Sequence, residues 1–360
     1  MKRYLALFFA LALILVFPSC SGEKQDSDKL SVVTTIFPQY DFARAVASEV
    51  ADSVELTMLL PPGSESHDYE PSIADLALIE SCDLFICVGG ETDSWVDGAI
   101  EAVGGDVNVL RLVDLVPLLA EAENGIIENS HKHEHDEEAE HDEAEHDEAG
   151  HDGNEHEHTE ETEAGHAEND LTEQEHEHEE HKSHAEYDEH VWTSPENAVL
   201  ITKAICDAMC TAEPSLADSF RRGAERYIGV LEDLSGRFSA LAESAVQHTV
   251  YFADRFPFLY LTDFMGLDFC AAFAGCSSDS EPALSTIYAM TQALKASDSK
   301  VIFTTEFSNK NAASVIAREC SIQVAELHSC HNVSKEDFER GVTYAELMEK
   351  NLDALTEALT

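Results

Sequence analysis

"PSLADSFRRGAERYIGVLEDLSGRFSALAESA", Pro214 to Ala245, decides the architecture. Its apolar positions are Leu216, Phe220, Ala224, Tyr227, Leu231, Leu234, Phe238, Leu241 and Ala245. Each follows the last by three or four residues, the single stripe of an amphipathic helix. Pro214 suits a first helical turn, where its missing N–H costs nothing. At 1.5 Å per residue this helix would run roughly 48 Å. A helix of that length packs on a core and can also serve as a strut between two bodies.

The flanks say which bodies. Upstream lie four short β-rich apolar runs: "LSVVTTIF" (Leu30–Phe37), "VELTMLL" (Val54–Leu60), "LFICVGG" (Leu84–Gly90) and "VNVLRLV" (Val107–Val113). Helical segments fall between them, among them "SIADLALIES", where Ser72 and Asp75 can form a capping box. Downstream the rhythm returns with "HTVYF", "LDFCAAFAG", "SKVIFTTEF" and "IQVAELH", and with helical patterns around Leu284–Ala296 and Lys310–Cys320. Unbroken apolar strands alternating with helices indicate parallel α/β sheets. The expected fold is therefore two α/β lobes joined by one long linking helix. The expected boundaries are 30–212 for the N-terminal lobe, 213–246 for the linking helix and 247–360 for the C-terminal lobe.

The chain has 360 residues, 44% of them hydrophobic, and a formal charge of −51. That charge argues against nucleic acid or anionic lipid headgroups as partners and favours cations. Residues 129–190 carry 26 Asp/Glu and two Lys, so nearly half of the excess sits in one segment. Lys2 and Arg3 precede the apolar run "YLALFFALALILVF", which is short for a membrane span, and "PSCSG" follows. Residues 1–20 are similar to a bacterial lipoprotein signal, with Cys20 as the lipidated first mature residue, and 21–29 read as a flexible tether. Of the nine cysteines, eight remain beyond Cys20, and an exported chain permits disulfides. Cys276 and Cys330, in polar loop contexts, are the favoured pair. Cys206 and Cys210 share a helical face, as buried thiols or as a bond.

Thirteen of the 18 histidines fall between His131 and His184, amid Glu, Asp, Ala and Gly. An insertion over 121–187 with so few large apolar residues cannot offset the entropy of ordering, so disorder is expected in the absence of metal. Dense imidazoles bind Zn²⁺, Cu²⁺ or Ni²⁺ in many alternative geometries, hence weakly and unselectively. A specific site belongs on the folded lobes.

Outside the tract stand only His67, His190, His248, His328 and His331. "LLPPGSESHDYEPS" places His67 in a loop after a strand; "YDEHVWTSPENA" places His190 just before a helix capped by Ser194 and opened by Pro195. Loops beyond the carboxyl ends of strands are where open α/β sheets gather ligands. His248, at the start of a strand, reads as structural.

These two segments resemble the metal-ligating motifs of the zinc/manganese-binding receptor lipoproteins of bacterial ABC importers, and the resemblance extends over nearly the whole mature chain. "PPGSESHDYEPS" is similar to the family's Pro-Gly-…-His-…-Tyr-Glu-Pro segment and "DEHVWTSPENA" to its Asp-Pro-His-x-Trp-…-Pro segment. An acidic His-rich insertion before the second motif also resembles the zinc-type members. The resemblance implies that His67 and His190 are metal ligands in the cleft between the lobes. The family's third histidine has Ala253 at its position, beside Asp254. "AELHSCHN" sets His328 where the family carries a ligating Asp, so His328 is the expected third ligand. His331, Glu306, Asp254 or water are candidates for the fourth position. Asp188 and Glu189 are expected to orient His190, with Glu189 replacing the family's Pro.

Three imidazoles with a water or a carboxylate suit tetrahedral Zn²⁺; Mn²⁺, which favours oxygen ligands, is the lesser alternative. The resemblance implies a monomeric, non-enzymatic, extracytoplasmic receptor. It would be held through lipid on Cys20 at the outer face of the cytoplasmic membrane, or be periplasmic, and would deliver zinc to an ABC permease and its ATPase. A manganese receptor, a surface adhesin or zinc buffer without a permease, and a zinc hydrolase are the rival readings. No HExxH segment supports the hydrolase.

Overall fold

Eight strands build two four-stranded sheets, each wholly parallel. The computed structural model describes residues 29–65, 69–90, 93–121, 125, 187–275 and 281–360. In the first sheet β1 (Leu30–Thr34), β2 (Val54–Met58), β3 (Leu84–Cys87) and β4 (Val109–Arg111) lie in the order β2-β1-β3-β4. In the second, β5 (Thr249–Phe256), β6 (Asp268–Ala274), β7 (Val301–Thr304) and β8 (Gln323–Glu326) lie in the order β6-β5-β7-β8. The central strands β3 and β7 are buried along their whole length, which is why they read as continuous apolar runs rather than alternating ones. Each lobe thus repeats one topology. In each, the strand order reverses between the first strand and the third, the place where open α/β sheets leave a crevice.

Helices α1 (Phe37–Val46), α2 (Ile73–Ser81), α3 (Trp95–Ala102) and α4 (Pro195–Ala212) belong to the first lobe. The capping box at α2 forms: Asp75 N–H donates to Ser72 Oγ, and Ser72 N–H donates to the Asp75 carboxylate. The linking helix α5 is Ala217–Ser244, 28 residues and therefore about 42 Å long. The stretch Pro214–Leu216 is a separate 3₁₀ turn, not the first turn of α5. There the Glu213 carboxylate accepts the Ser215 N–H and starts the tighter turn. The expected stripe is the buried face of α5: Phe220, Ala224, Leu231, Leu234, Phe238 and Leu241.

The second lobe adds α6 (Leu259–Met265), α7 (Leu284–Lys295), α8 (Asn311–Cys320) and α9 (Lys335–Arg340). The last helix, α10 (Tyr344–Leu359), packs back against α5 and α1. One apolar cluster runs through Val32 and Leu84 of the first sheet, Phe238 of α5, and Phe252 and Phe303 of the second sheet. Both lobes therefore share a core along the linking helix. α5 approaches α1 so closely that a Cβ on Gly223 would lie 2.2 Å from the Val46 carbonyl oxygen.

The Cys276–Cys330 pairing is corrected at Cys330, which is a free, buried thiol whose Sγ donates to the His328 carbonyl. Cys276 lies outside the described residues. Cys206 and Cys210 are also thiols, their sulfurs 4.0 Å apart. Among the described residues no helix is long and apolar enough to cross a membrane. The signal segment, Cys20 and the His-rich tract lie outside the described residues.

Candidate metal centre

The second motif is pinned before its histidine is placed. Tyr260 of α6 donates its hydroxyl hydrogen to the Asp188 carbonyl at 2.8 Å, tying this first-lobe loop to the second lobe. Asp188 Oδ1 then accepts twice from His190, from the backbone N–H at 2.9 Å and from ring Nδ1 at 3.0 Å. Nδ1 therefore carries the proton, and Nε2 keeps a lone pair. His190 is fully buried, and its Nε2 has no hydrogen-bond partner among the described residues. A buried polar atom left unpaired costs free energy, so something else must complete it. Burial alone would pull the His190 imidazole below its usual range. The charge and hydrogen bond of Asp188, with Glu189 and Glu121 behind them, outweigh burial and raise it.

The partner histidine is His331. Its ring stands edge-on to His190 with centroids 4.7 Å apart, and Trp192 closes the third side at 4.8 Å from the His331 ring. One ligand atom from each of Glu189, His190 and His331 fits within a span of 4.8 Å, a spacing that can hold one metal ion. Glu189 is buried and packs on Gly90, where any side chain would strike its carboxylate. Gly275, at the end of β6, plays the same part for His190: a Cβ there would lie 2.8 Å from the ring Cε1.

His328 does not join this group. Asn351 of α10 holds its backbone on both sides, accepting from the N–H at 2.7 Å and donating to the carbonyl at 2.8 Å. Its Nδ1 accepts the Cys330 N–H at 3.0 Å, and the ring lines a pocket with Glu326, Ser334, Asp337 and Asn351. Cys330 then turns the chain with φ of 64°, and the next residue, His331, faces the cleft instead. His331 was legible as a candidate; nothing local ranked it above its neighbour three residues earlier.

His67 lies outside the described residues, but the loop leading to it is anchored at the cleft. Asn332 Nδ2 donates to the carbonyls of Pro61 and Ser64, and Gly63 N–H donates to the Val333 carbonyl. Ser64 and Glu65 line the same cleft as His331, together with Asp254, Thr305 and Glu306. Asp254 accepts the Thr305 hydroxyl at 3.0 Å. His248 is exposed at the start of β5. Sequence reasoning missed Ser329, which joins Glu306 to His331, and Tyr260, which holds Asp188. Tyr260 reaches Asp188 across 72 positions and Ser329 reaches Glu306 across 23, separations that no local pattern announces.

Known proteins resemble this chain in sequence and in fold. The family described as "Zinc-uptake complex component A periplasmic" (ZnuA) matches residues 32–358. The zinc-binding lipoprotein AdcA of Streptococcus pneumoniae (strain ATCC BAA-255 / R6) is 27% identical over 358 residues, covering 99% of this chain; the chain spans 61% of that relative's length. The high-affinity zinc uptake system protein ZnuA of Bacillus subtilis (strain 168) is 28% identical over 368 residues, covering 99% of this chain and 98% of the relative. The crystal structure of the Zn(II)-bound ZnuA-like domain of the pneumococcal AdcA superposes with a TM-score of 0.66 at 23% identity, covering 92% of this chain and 99% of that one.

Proposed function

Given that this chain belongs to the family of periplasmic zinc-uptake components A, we propose that it captures Zn²⁺ outside the cytoplasmic membrane and delivers it to an ABC-type permease. The observation that carries the reading is the buried, unpartnered Nε2 of His190, set beside His331 and Glu189 within 4.8 Å. His190, His331 and the Glu189 carboxylate are the proposed donors, with His67 as a further imidazole from the anchored loop. Two or three nitrogens with one carboxylate suit tetrahedral zinc better than manganese, which takes more oxygens. His328, the ligand expected from sequence, is not in the proposed set. The site is read as a carrier's rather than a catalyst's: Glu189 and His190 are buried, whereas hydrolytic zinc keeps a position open to water. Export, lipidation at Cys20, a monomeric state and the permease partner belong to the same proposal.

The test is zinc titration of the purified chain against a competing chelator. One tight equivalent is expected. His190→Ala and His331→Ala should each weaken it beyond the roughly 10–100-fold typical of losing an outer-sphere partner, and His328→Ala should leave it close to wild type. Tight binding that survives the double variant His190→Ala/His331→Ala would overturn the assignment.

A further inference from the structure

The two imidazoles at the centre are oriented by different devices. His190 gives its Nδ1 proton straight to the Asp188 carboxylate. Among the described residues, His331 is linked to a carboxylate through a hydroxyl. Its Nδ1 lies 3.1 Å from Ser329 Oγ, and that oxygen lies 2.6 Å from Glu306 Oε1. The other oxygen, Glu306 Oε2, accepts the Ser329 backbone N–H at 2.9 Å. The Glu306 side chain is only 6% exposed, so water does not compete strongly for it.

Hydrogen-bond arithmetic fixes the direction of this chain. A carboxylate only accepts, and a serine hydroxyl has one hydrogen and two lone pairs. With both Glu306 oxygens accepting from Ser329, the hydroxyl hydrogen is spent on Oε1. Ser329 Oγ can then only accept from His331, and it does so from the backbone N–H at 3.3 Å and from ring Nδ1. Nδ1 must therefore carry the ring proton, which leaves Nε2 the basic nitrogen. His328 does not disturb the arrangement, because its own Nδ1 is already an acceptor for the Cys330 N–H.

We propose that Glu306, acting through Ser329, is a positioning residue that fixes the Nδ1–H tautomer of His331 and so presents Nε2 to the metal. The inference rests on His331 being a zinc donor. It adds that the late β7 loop, which supplies Glu306, controls a donor on the loop after β8.

Glu306→Gln tests the direction of the chain with almost no change of shape. If the amide oxygen takes the Ser329 N–H, the amide NH₂ faces Ser329 Oγ. The hydroxyl then turns its hydrogen toward His331 Nδ1 and moves the ring proton to Nε2. The readout is the long-range ¹H–¹⁵N correlation spectrum of the zinc-free full chain, with the His331 signals assigned by their loss in His331→Gln. Wild type and Ser329→Thr should show the Nδ1–H pattern. Glu306→Gln and Ser329→Ala should lose it and bind zinc about 10–100-fold more weakly, while Ser329→Thr should bind close to wild type. A His331 Nδ1–H pattern that persists in Glu306→Gln overturns the proposal, whatever happens to affinity. Should Ser329→Ala fail to fold, Glu306→Gln and Ser329→Thr still decide the matter. Tight zinc binding that survives His331→Ala would instead sink the donor assignment, and the zinc-free spectrum would still judge the relay separately.

Discussion

Asp93 shows how a single buried carboxyl ties this centre to pH. It accepts hydrogen bonds from the Val88 and Gly89 N–H groups and the Thr35 hydroxyl. Burial nonetheless pushes it up to about 6, with the nearby Glu189 charge adding to the rise. The folded protein then keeps a proton that the unfolded chain releases near pH 4. The contribution of Asp93 to the stability of the zinc-free protein is therefore fully present below that pH and is lost as pH rises from about 4 to about 6, by on the order of 2–3 kcal/mol. Chemical denaturation across this range should show the decline, and Asp93→Asn should flatten it. A profile in Asp93→Asn as steep as wild type would assign the slope to another group. The residue-level reading of His190 was legible because its motif is local: Asp188 lies two positions away and Ser194 caps the next helix. The choice between His328 and His331 was not, because Asn351 clamps His328 from 23 positions away.

Among the elements, α5 offers a controlled comparison of three glycines. Gly223 is buried against α1, and a methyl group there would meet backbone carbonyls of Val46 and Ala45 at 2.2 and 2.9 Å. Backbone cannot step aside as a flexible side chain can. Gly223→Ala should force the helices apart and cost about 1–3 kcal/mol. Gly229 and Gly236 face open space on the same helix. Gly229→Ala and Gly236→Ala should each stabilise by about 0.5–1 kcal/mol, since alanine loses less backbone entropy in a helix. Thermal melting of the three variants checks both signs. A neutral Gly223→Ala would mean that α1 and α5 are not held at this separation. The stripe of α5 and all eight strands could be read from periodicity and apolar runs. The 3₁₀ break at Pro214–Leu216 could not, because a carboxylate cap competes with helix continuation over only three residues.

In the molecule as a whole, Asp41 joins the first lobe, the linking helix and the last helix. Its Oδ2 accepts from the Tyr227 hydroxyl of α5 and from the Tyr344 N–H of α10, each at 2.7 Å, and Arg44 pairs with Oδ1. Asp41→Ala would leave the Tyr227 hydroxyl and the Tyr344 N–H without this acceptor and should lower stability by about 1–3 kcal/mol in denaturant titrations. A loss below 1 kcal/mol would show that the junction is held by packing alone. Trp192 Nε1–H donates to the Ser329 carbonyl and Tyr344 O–H to the Trp192 carbonyl, so the centre itself bridges the lobes. Metal capture should accordingly depend on the lobes and not on the acidic tract. Deleting residues 129–186 is expected to leave the tight zinc equivalent in calorimetry and remove only weaker ones. Disappearance of the tight step in that deletion would place the main site in the tract.

Two parallel-sheet lobes, the long amphipathic helix, and a loop histidine backed by an aspartate were written in local pattern, because burial periodicity and capping act within a few residues. Which C-terminal histidine meets His190 was a tertiary decision. It depends on Asn351 holding His328, on the turn at Cys330, and on Trp192 reaching Ser329 across 137 positions. Imidazoles three residues apart look alike along a chain. They differ only once distant backbone and side-chain groups have used the hydrogen bonds of one and set the other beside His190.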